Sequence, residues 1–370
     1  MALFGLPFDP KSKKKTWLYQ IIPAATVLIM HIILIFGFYS SIDYILHAKS
    51  TKKTSMSLAI SMVLNVWLWH VAFRKRSEMR QICHLLLIIN PNSSNRKLCS
   101  VFNILTSLTI IMPMLCSMVL WYDGKETQGF RKDVGAFFKF IGLPEDMRYL
   151  CIFLLFLFES GIQNMLTLLF SLIFQDLGQS ILLCKEEFFQ TSASVIRVIR
   201  IYEKIVVCKN LIENRFGRVL FLLTSLGLLN AFGNITVILG FETGKFTNPA
   251  SVYCISIFST VNFSIWVYLM LSAANVNEND QYFKNEIYLY VLRRRVRCMQ
   301  NESAWDVIVF GQENITFSAN GYFRFTKGFI LTAIGGLLTY SLLLNQFQIK
   351  QNYNRNSSFV EDTFNATLIH

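Results

Sequence analysis

The sequence predicts an all-α membrane protein whose chain crosses the bilayer seven times. Of its 370 residues 53% are hydrophobic and 16% charged, and the mean hydropathy of +0.42 exceeds that of ordinary soluble domains. Seven stretches approach or exceed the roughly 20 apolar residues that a helix needs to cross a hydrocarbon core of about 30 Å. These spans are residues 21–41, 56–73, 99–121, 150–174, 219–241, 252–274 and 328–347.

Residues 1–20 are predicted to be cytoplasmic. Their basic run "KSKKK" precedes a full-length apolar stretch without a small-residue cleavage site, so we expect a first span and not a signal peptide. With the N-terminus inside, cytoplasmic segments carry 24 of the 35 lysines and arginines and outer segments carry 11, as the positive-inside rule requires. The C-terminus is then outside. The net charge of +12 is explained by the lipid of the anionic cytoplasmic leaflet, without a nucleic-acid partner.

Residues 21–274 hold the first six spans, and two cytoplasmic segments in the chain are too long to be turns. The stretches "RVIRIYEKIVVCKNLIENRFGRVLFLL" and "EIYLYVLRRRVRCM" alternate apolar and charged positions at helical spacing, which predicts that membrane helices continue into the cytoplasm. The arginine run in the second stretch is typical either of a lipid-facing interfacial cluster or of a helix that packs against partner subunits. We assign residues 275–327 as a cytoplasmic anchor segment.

Polar side chains are rare within the spans, and an ionisable group there is a functional hypothesis by default. Each either satisfies a neighbouring helix or lines a ligand pocket. The candidates are Glu159 and Gln163 on the fourth span, Asn230 and Asn234 on the fifth, and Asn262, Trp266 and Tyr268 on the sixth.

No enzyme, cofactor or metal motif stands out. The sequence has no HExxH, no phosphate-binding glycine-rich loop and no Cys/His cluster with metal-ligand spacing. The eight cysteines form no CxxC pair, so we expect free structural thiols. Only Cys116, Cys151 and Cys254 are close enough to the outer face to form a disulfide.

The last span, residues 328–347, ends in a polar face. On a helix Thr339, Leu342 or Leu343, and Gln346 share one side, whereas Tyr340 and Phe347 lie on a neighbouring side. An unpaired amide in hydrocarbon is costly, so Gln346 must meet another helix or water. Helix packing within one subunit and a water-filled pore both satisfy it.

The sequence "TYSLLLNQF" resembles the TYhhhhhQF signature of the insect gustatory receptors, where h is hydrophobic. It matches at Thr339, Tyr340, Gln346 and Phe347, with Asn345 as a polar departure. Upstream, "FSANGYF" is similar to the F-[ST]-A-x-G-x-F run that precedes the last helix in that family.

The resemblance implies a homotetrameric or heterotetrameric cation channel in the plasma membrane of chemosensory neurons. In the family the last helix of each subunit lines a central pore, cytoplasmic helix ends and a helix before the last span form an intersubunit anchor, and a small molecule binds within each subunit. The family's gate residues carry over onto Gln346 and Phe347, below which Thr339, Leu342 and Leu343 would line the pore.

Two departures from the family pattern narrow the expectation. The sugar-sensing branch has TYE where this chain has Ser341, so a bitter-type tastant is favoured over sugar. The chain also continues through residues 348–370, an extracellular tail with glycosylation sequons at Asn356 and Asn365. The alternatives are an odorant receptor subunit of the same superfamily, or a seven-helix receptor or transporter without its own pore.

Overall fold

Long helices and one β-hairpin make up the part of the chain that the computed structural model describes. That part is residues 27–29, 31–32, 35, 37–39, 42, 52–90, 96–126, 145–190, 195–238, 249–295, 314–343 and 346. The helices are α1 (Lys52–Arg74), α2 (Arg76–Ile89), α3 (Arg96–Glu126), α4 (Glu145–Gln190), α5 (Val195–Ile238), α6 (Pro249–Arg295) and α7 (Lys327–Leu343). The hairpin strands are β1 (Ser318–Ala319) and β2 (Phe323–Arg324).

Within the described part of the chain, three helices are long and apolar enough to cross a membrane, namely the stretches Phe156–Phe189, Arg197–Gly233 and Ser256–Tyr290. Shorter apolar helices cover Ala59–Arg74, Asn103–Val119 and Lys327–Leu343. The described residues of the predicted first span, between 27 and 42, are helical. Most of the chain's described residues are therefore in apolar helices, as predicted.

The predicted continuations of two apolar helices beyond membrane length are present, whereas their cytoplasmic location stays a prediction. The helix α5 is a single helix from Val195, and α6 runs without a break past residue 274 to Arg295. Both helices are about twice the length that a bilayer requires. Residues 249–295 are thus one continuous helix. This helix passes residue 274, where we predicted that the six-span region ends and the anchor segment begins.

Contacts along the helices fix their relative directions. The helices α4 and α6 run parallel, because Phe156 contacts Phe258 near one end and Gly178 lies beside Asn279 near the other. The helix α5 runs antiparallel to α4, since Gln163 meets Asn230 whereas Phe170 meets Phe216. It is also antiparallel to α1, because Ser61 of α1 meets Asn230, and Lys75, the residue after the end of α1, meets Arg215. These directions are those that the predicted topology requires.

The core lies between α4, α5 and α6. The middle of α4 is buried on all sides, and the large aromatic side chains packed there include Phe170, Phe174, Phe216 and Trp266. Buried hydroxyls on these helices donate to the carbonyl four residues back, as Ser171 does to Thr167 and Thr224 to Leu220, both at 2.8 Å. Such bonds satisfy a polar group without leaving the helix, which is how serine and threonine are tolerated in apolar surroundings.

The hairpin is a departure from the all-α prediction. Asn320 and Gly321, the central residues of its turn, have φ of 54° and 81°. This left-handed backbone is open to Asn and Gly and matches the turn that joins tight hairpins. The "FSANGYF" run is therefore a strand, a turn and a strand, in which Ala319 pairs with Phe323. It leads directly into α7.

Candidate functional site

A polar layer crosses the bundle where α1, α4 and α5 meet. Asn230 Nδ2 donates to Gln163 Oε1 at 2.8 Å, and Ser61 Oγ donates to Asn230 Oδ1 at 3.1 Å. Two of the predicted ligand-pocket residues are thus directly bonded to each other, with a serine that the prediction omitted. Gln163 is 4% exposed, so the bond replaces contacts that water would otherwise supply.

A neighbouring face of α4 makes a similar amide contact with α6. Asn164 Nδ2 donates to Asn262 Oδ1 at 2.7 Å. About three turns closer to the hairpin, Gln175 Nε2 donates to the hydroxyl of Tyr268 at 2.5 Å. Four predicted residues, Gln163, Asn230, Asn262 and Tyr268, therefore hold helices together, and their amide partners Asn164 and Gln175 were missed.

One turn from the polar layer toward the hairpin, several buried polar groups have no hydrogen-bond partner among the described residues. Asn65 is four residues after Ser61, Thr167 follows Gln163, and Trp266 follows Asn262, so helical spacing places all three at a similar depth. Both amide atoms of Asn65, Thr167 Oγ1 and Trp266 Nε1 are unpaired in the described part of the chain. We call these three side chains the unpaired level.

Trp266 packs against Gly227 of α5, whose lack of a side chain leaves room for the indole. It is 1% exposed, its ring lies 5.6 Å from that of Phe263, and its indole covers Gly227 on α5. A Cβ at position 227 would come within 2.1 Å of the indole Cδ1, so no residue larger than glycine fits there. The indole position is consequently set by both helices, and its N–H is kept inside the bundle.

Two predicted pocket residues are described only by their backbone. Glu159 and Asn234 lie on α4 and α5, but their side chains are outside the described residues. Glu159 precedes Gln163 by four residues, so helical spacing puts it on the same face, one turn farther from the hairpin. Its assignment to a ligand pocket remains a prediction.

A second polar cluster fastens the hairpin to α5 and α6. Asp280, which is fully buried, accepts from the hydroxyl of Tyr202 at 2.7 Å and from the backbone N–H of Ile315 at 2.7 Å. Lys284, one turn along α6, forms an ion pair with the same carboxylate at 3.2 Å and donates to Asn314 Oδ1 at 3.3 Å. The Asp280 carboxylate thus has three partners, which lie on α5, on α6 and in the segment that precedes the hairpin.

Further contacts complete this attachment. Ser318 Oγ on β1 donates to Glu213 on α5 at 2.5 Å, and Phe317 packs on Phe174 of α4 with ring centres 4.5 Å apart. The exposed Lys327 at the start of α7 pairs with Glu278 on α6 at 2.7 Å. The hairpin therefore touches α4, α5 and α6, and it joins them to α7.

The helix α7 is largely uncovered in the isolated chain. The predicted pore residues described by the structure, Thr339, Leu342, Leu343 and Gln346, are all exposed, whereas Ser341 is 1% exposed and faces the bundle. Tyr340 packs on Phe232 of α5 at 5.5 Å. Because Tyr340 is exposed as well, exposure in one chain does not separate the two predicted faces, and the pore assignment stays a prediction. Phe347, Asn345, Asn356 and Asn365 lie outside the described residues.

We compared the chain with known proteins by sequence and by structure. No protein-family model matches the sequence, and no curated protein does so either. Solved structures do match. The insect olfactory receptor OR5 from Machilis hrabei aligns over 92% of this chain and 92% of its own, with 12% identity and a TM-score of 0.61. The chain has the insect olfactory receptor fold.

A second structure of that receptor, in complex with eugenol, gives the same result. It covers 92% of this chain and 93% of its own, with 13% identity and a TM-score of 0.58. The predicted resemblance to the insect chemoreceptor superfamily is thereby confirmed at the level of the insect olfactory receptor fold.

Proposed function

We propose that this chain is a subunit of a ligand-gated, nonselective cation channel that a small-molecule tastant opens directly. The support is the insect olfactory receptor fold over 92% of the chain, together with the gustatory receptor signature at Thr339, Tyr340, Gln346 and Phe347. In this proposal the N-terminus is cytoplasmic and seven helices cross the plasma membrane of a chemosensory neuron. Four subunits, identical or related, each contribute α7 to a central pore.

The proposed ligand class follows from the hydrogen-bond donors and acceptors that are left unpaired inside the bundle. Most amides near the middle of α4 are already bonded between helices, so the unpaired level, with single unpaired hydroxyls such as that of Ser259, is the main supply of donors and acceptors. The surrounding core is aromatic and aliphatic. A largely apolar molecule with one or two polar groups fits this supply, whereas a sugar would need many more partners. A bitter-type compound is therefore our choice of tastant.

An odorant receptor subunit is the second candidate, and a specific observation favours it. The solved structures that match are those of an olfactory receptor, one of them in complex with eugenol. Small odorants of that kind are amphipathic, like the ligand class inferred above. The two candidates share site chemistry and mechanism and differ in the ligand.

The test is current through purified protein in a planar bilayer, with a panel of bitter alkaloids, phenolic odorants and sugars. We expect cation current that rises with one of the first two classes and does not respond to sugars. Ligand binding without any current, in protein that is demonstrably assembled, would overturn the channel assignment and favour a receptor without a pore. Current that needs a second, related chain would assign this chain to a heteromer.

The pocket is tested with Glu159→Gln against the best agonist of the panel. We expect a shifted dose response, because the substitution removes a charge without changing the size of the side chain. As a matched control, Glu186→Gln changes a carboxylate near the hairpin end of the same helix. An unaltered dose response in Glu159→Gln would remove Glu159 from the pocket.

A further inference from the structure

Two cysteines meet where α3 and α6 pack at the end of the bundle opposite the hairpin. Cys116 Sγ and Cys254 Sγ are 3.1 Å apart, and the Cys116 thiol also points at the backbone oxygen of Cys254 at 3.6 Å. Cys254 is five residues from the start of α6, and Cys116 is ten residues from the end of α3. Cys116 is fully buried and Cys254 is partly exposed.

The geometry points to a modification site: we propose that Cys116 and Cys254 become joined by a disulfide that ties α3 to α6. The bonded distance is about 2.05 Å, so the two sulfur atoms need to approach each other by only about 1 Å. Of the three cysteines that the sequence placed near the outer face, the structure brings these two together. This disulfide is independent of the proposed channel mechanism, which does not require it.

The proposal uses the proposed orientation, in which this end of the bundle faces the lumen of the secretory pathway and later the cell exterior. Both compartments favour disulfides, whereas the cytosol keeps thiols reduced. The other described thiols, Cys83, Cys184 and Cys208, lie toward the hairpin end. Burial raises the pKa of the Cys83 thiol, and the nearby Asp176 raises it further, which keeps that thiol protonated and unreactive.

The oxidant is a disulfide donor of the oxidoreductase or small-molecule type. The more accessible Cys254 loses its proton and attacks the donor disulfide, which forms a mixed disulfide and releases one donor thiol. The Cys116 thiol then loses its proton, and its sulfur attacks Cys254 Sγ and displaces the second donor thiol. Two cysteine thiols are oxidised by two electrons, and the donor is reduced to two thiols.

The tie would restrain the part of α6 that leads into the polar layer. Asn262 is two turns along α6 from Cys254, and Trp266 is three turns along. A covalent link to α3 at the outer end limits how far this part of α6 can move relative to α3. We therefore expect the disulfide to stabilise the folded subunit and to restrict movement of α6.

The first experiment needs no variant and no current. Full-length protein from the plasma membrane of animal cells is denatured without reductant, alkylated with N-ethylmaleimide, digested and analysed by mass spectrometry. We expect a linked peptide containing Cys116 and Cys254, two hydrogen atoms lighter than the reduced pair, while Cys83, Cys184 and Cys208 are alkylated. Alkylation of both Cys116 and Cys254, or a link from either of them to Cys151, would overturn the proposal.

The second experiment measures thermal unfolding of detergent-solubilised protein with and without dithiothreitol. Dithiothreitol should lower the melting temperature of the unmodified protein and leave Cys116→Ser and Cys254→Ser unchanged, because both variants already lack the bond. Cys83→Ser is the matched control and should remain sensitive to the reductant. Equal sensitivity in Cys116→Ser and in the unmodified protein would contradict a link between these two residues, whatever the channel measurements show.

Discussion

The most constrained residue of the candidate site is Trp266. Its indole is buried, covers a glycine on the next helix, and has no acceptor for its N–H among the described residues. A buried donor without a partner costs about 1–3 kcal/mol, so a position that retains one invites a ligand or a water molecule as the acceptor. Glycine at position 227 is what permits the arrangement.

Gly227→Ala should displace the indole and weaken the agonist response. Overpacking of this kind costs about 1–3 kcal/mol, although alanine is the better helix former. We expect a lower melting temperature and a right-shifted dose response in bilayer recordings. Gly328→Ala is the control, because the nearest atom to its added Cβ is 3.9 Å away. Normal agonist sensitivity in Gly227→Ala would show that the indole position has no part in binding.

The bond between Gln163 and Asn230 can be measured by a double-mutant cycle. Gln163→Leu and Asn230→Leu should each destabilise the protein, and the double variant should lose less than the sum, because neither unpaired amide is then left behind. Interhelical bonds in membrane proteins couple by about 0.6 kcal/mol on average, and up to about 1.7 kcal/mol. Strictly additive losses in chemical unfolding would mean that the two amides act independently.

At the scale of elements, the hairpin connects α4, α5 and α6 to α7. Sequence patterns predicted the long helices well, because apolar runs at helical spacing dominate them. They did not predict the hairpin, since strands of two residues have no measurable periodicity. The signal that could have revealed it is Asn320-Gly321, a dipeptide typical of tight hairpin turns.

Asp280→Asn should detach the hairpin from the bundle. The substitution removes the carboxylate charge that pairs with the buried Lys284, and breaking a buried pair in this way costs about 3–5 kcal/mol. We expect poor assembly or, in protein that does assemble, agonist binding without current. The amide hydrogen of Ile315 should also exchange faster with deuterium.

Two residues earlier on α6, Glu278→Gln provides the matched control for that prediction. Its ion pair with Lys327 is about half exposed, and exposed pairs contribute about 0–1 kcal/mol. Stability and current should therefore change little. If Asp280→Asn behaved as mildly as Glu278→Gln, the buried cluster would have no special part in holding the hairpin.

At the scale of the whole molecule, a single chain leaves most of α7 uncovered. We predict that the covering surfaces are other subunits and pore water, with Phe347 as the closed gate and Gln346 as the hydrated lining of the open state. Apolar constrictions exclude ions by dewetting, whereas amides hydrate them. The sequence could indicate this division of faces because a helix repeats every 3.6 residues, but a subunit's partners are not encoded in any local pattern.

Phe347→Ala should therefore pass current without ligand. Removing a packed phenyl ring costs about 3–5 kcal/mol, and half of that shifts a closed state toward opening by about ten- to seventyfold. Gln346→Leu should reach the surface normally and give less evoked current. Tyr340→Phe, which keeps its ring against Phe232, should leave both currents unchanged. A silent Phe347→Ala with ordinary agonist response would place the gate elsewhere on the helix.

The partners of Asp280 also set an order of synthesis. Tyr202 and Asp280 leave the ribosome well before Ile315, so the surface that receives the hairpin is complete before the hairpin exists. We expect its docking to precede the insertion of α7, which follows it in the chain. A chain whose earlier helices have paired wrongly offers no surface for Ile315, and its final helix then lacks a fixed starting point. We therefore expect the buried aspartate to act as a checkpoint on biogenesis, because only chains whose earlier helices have paired correctly offer a surface for the hairpin.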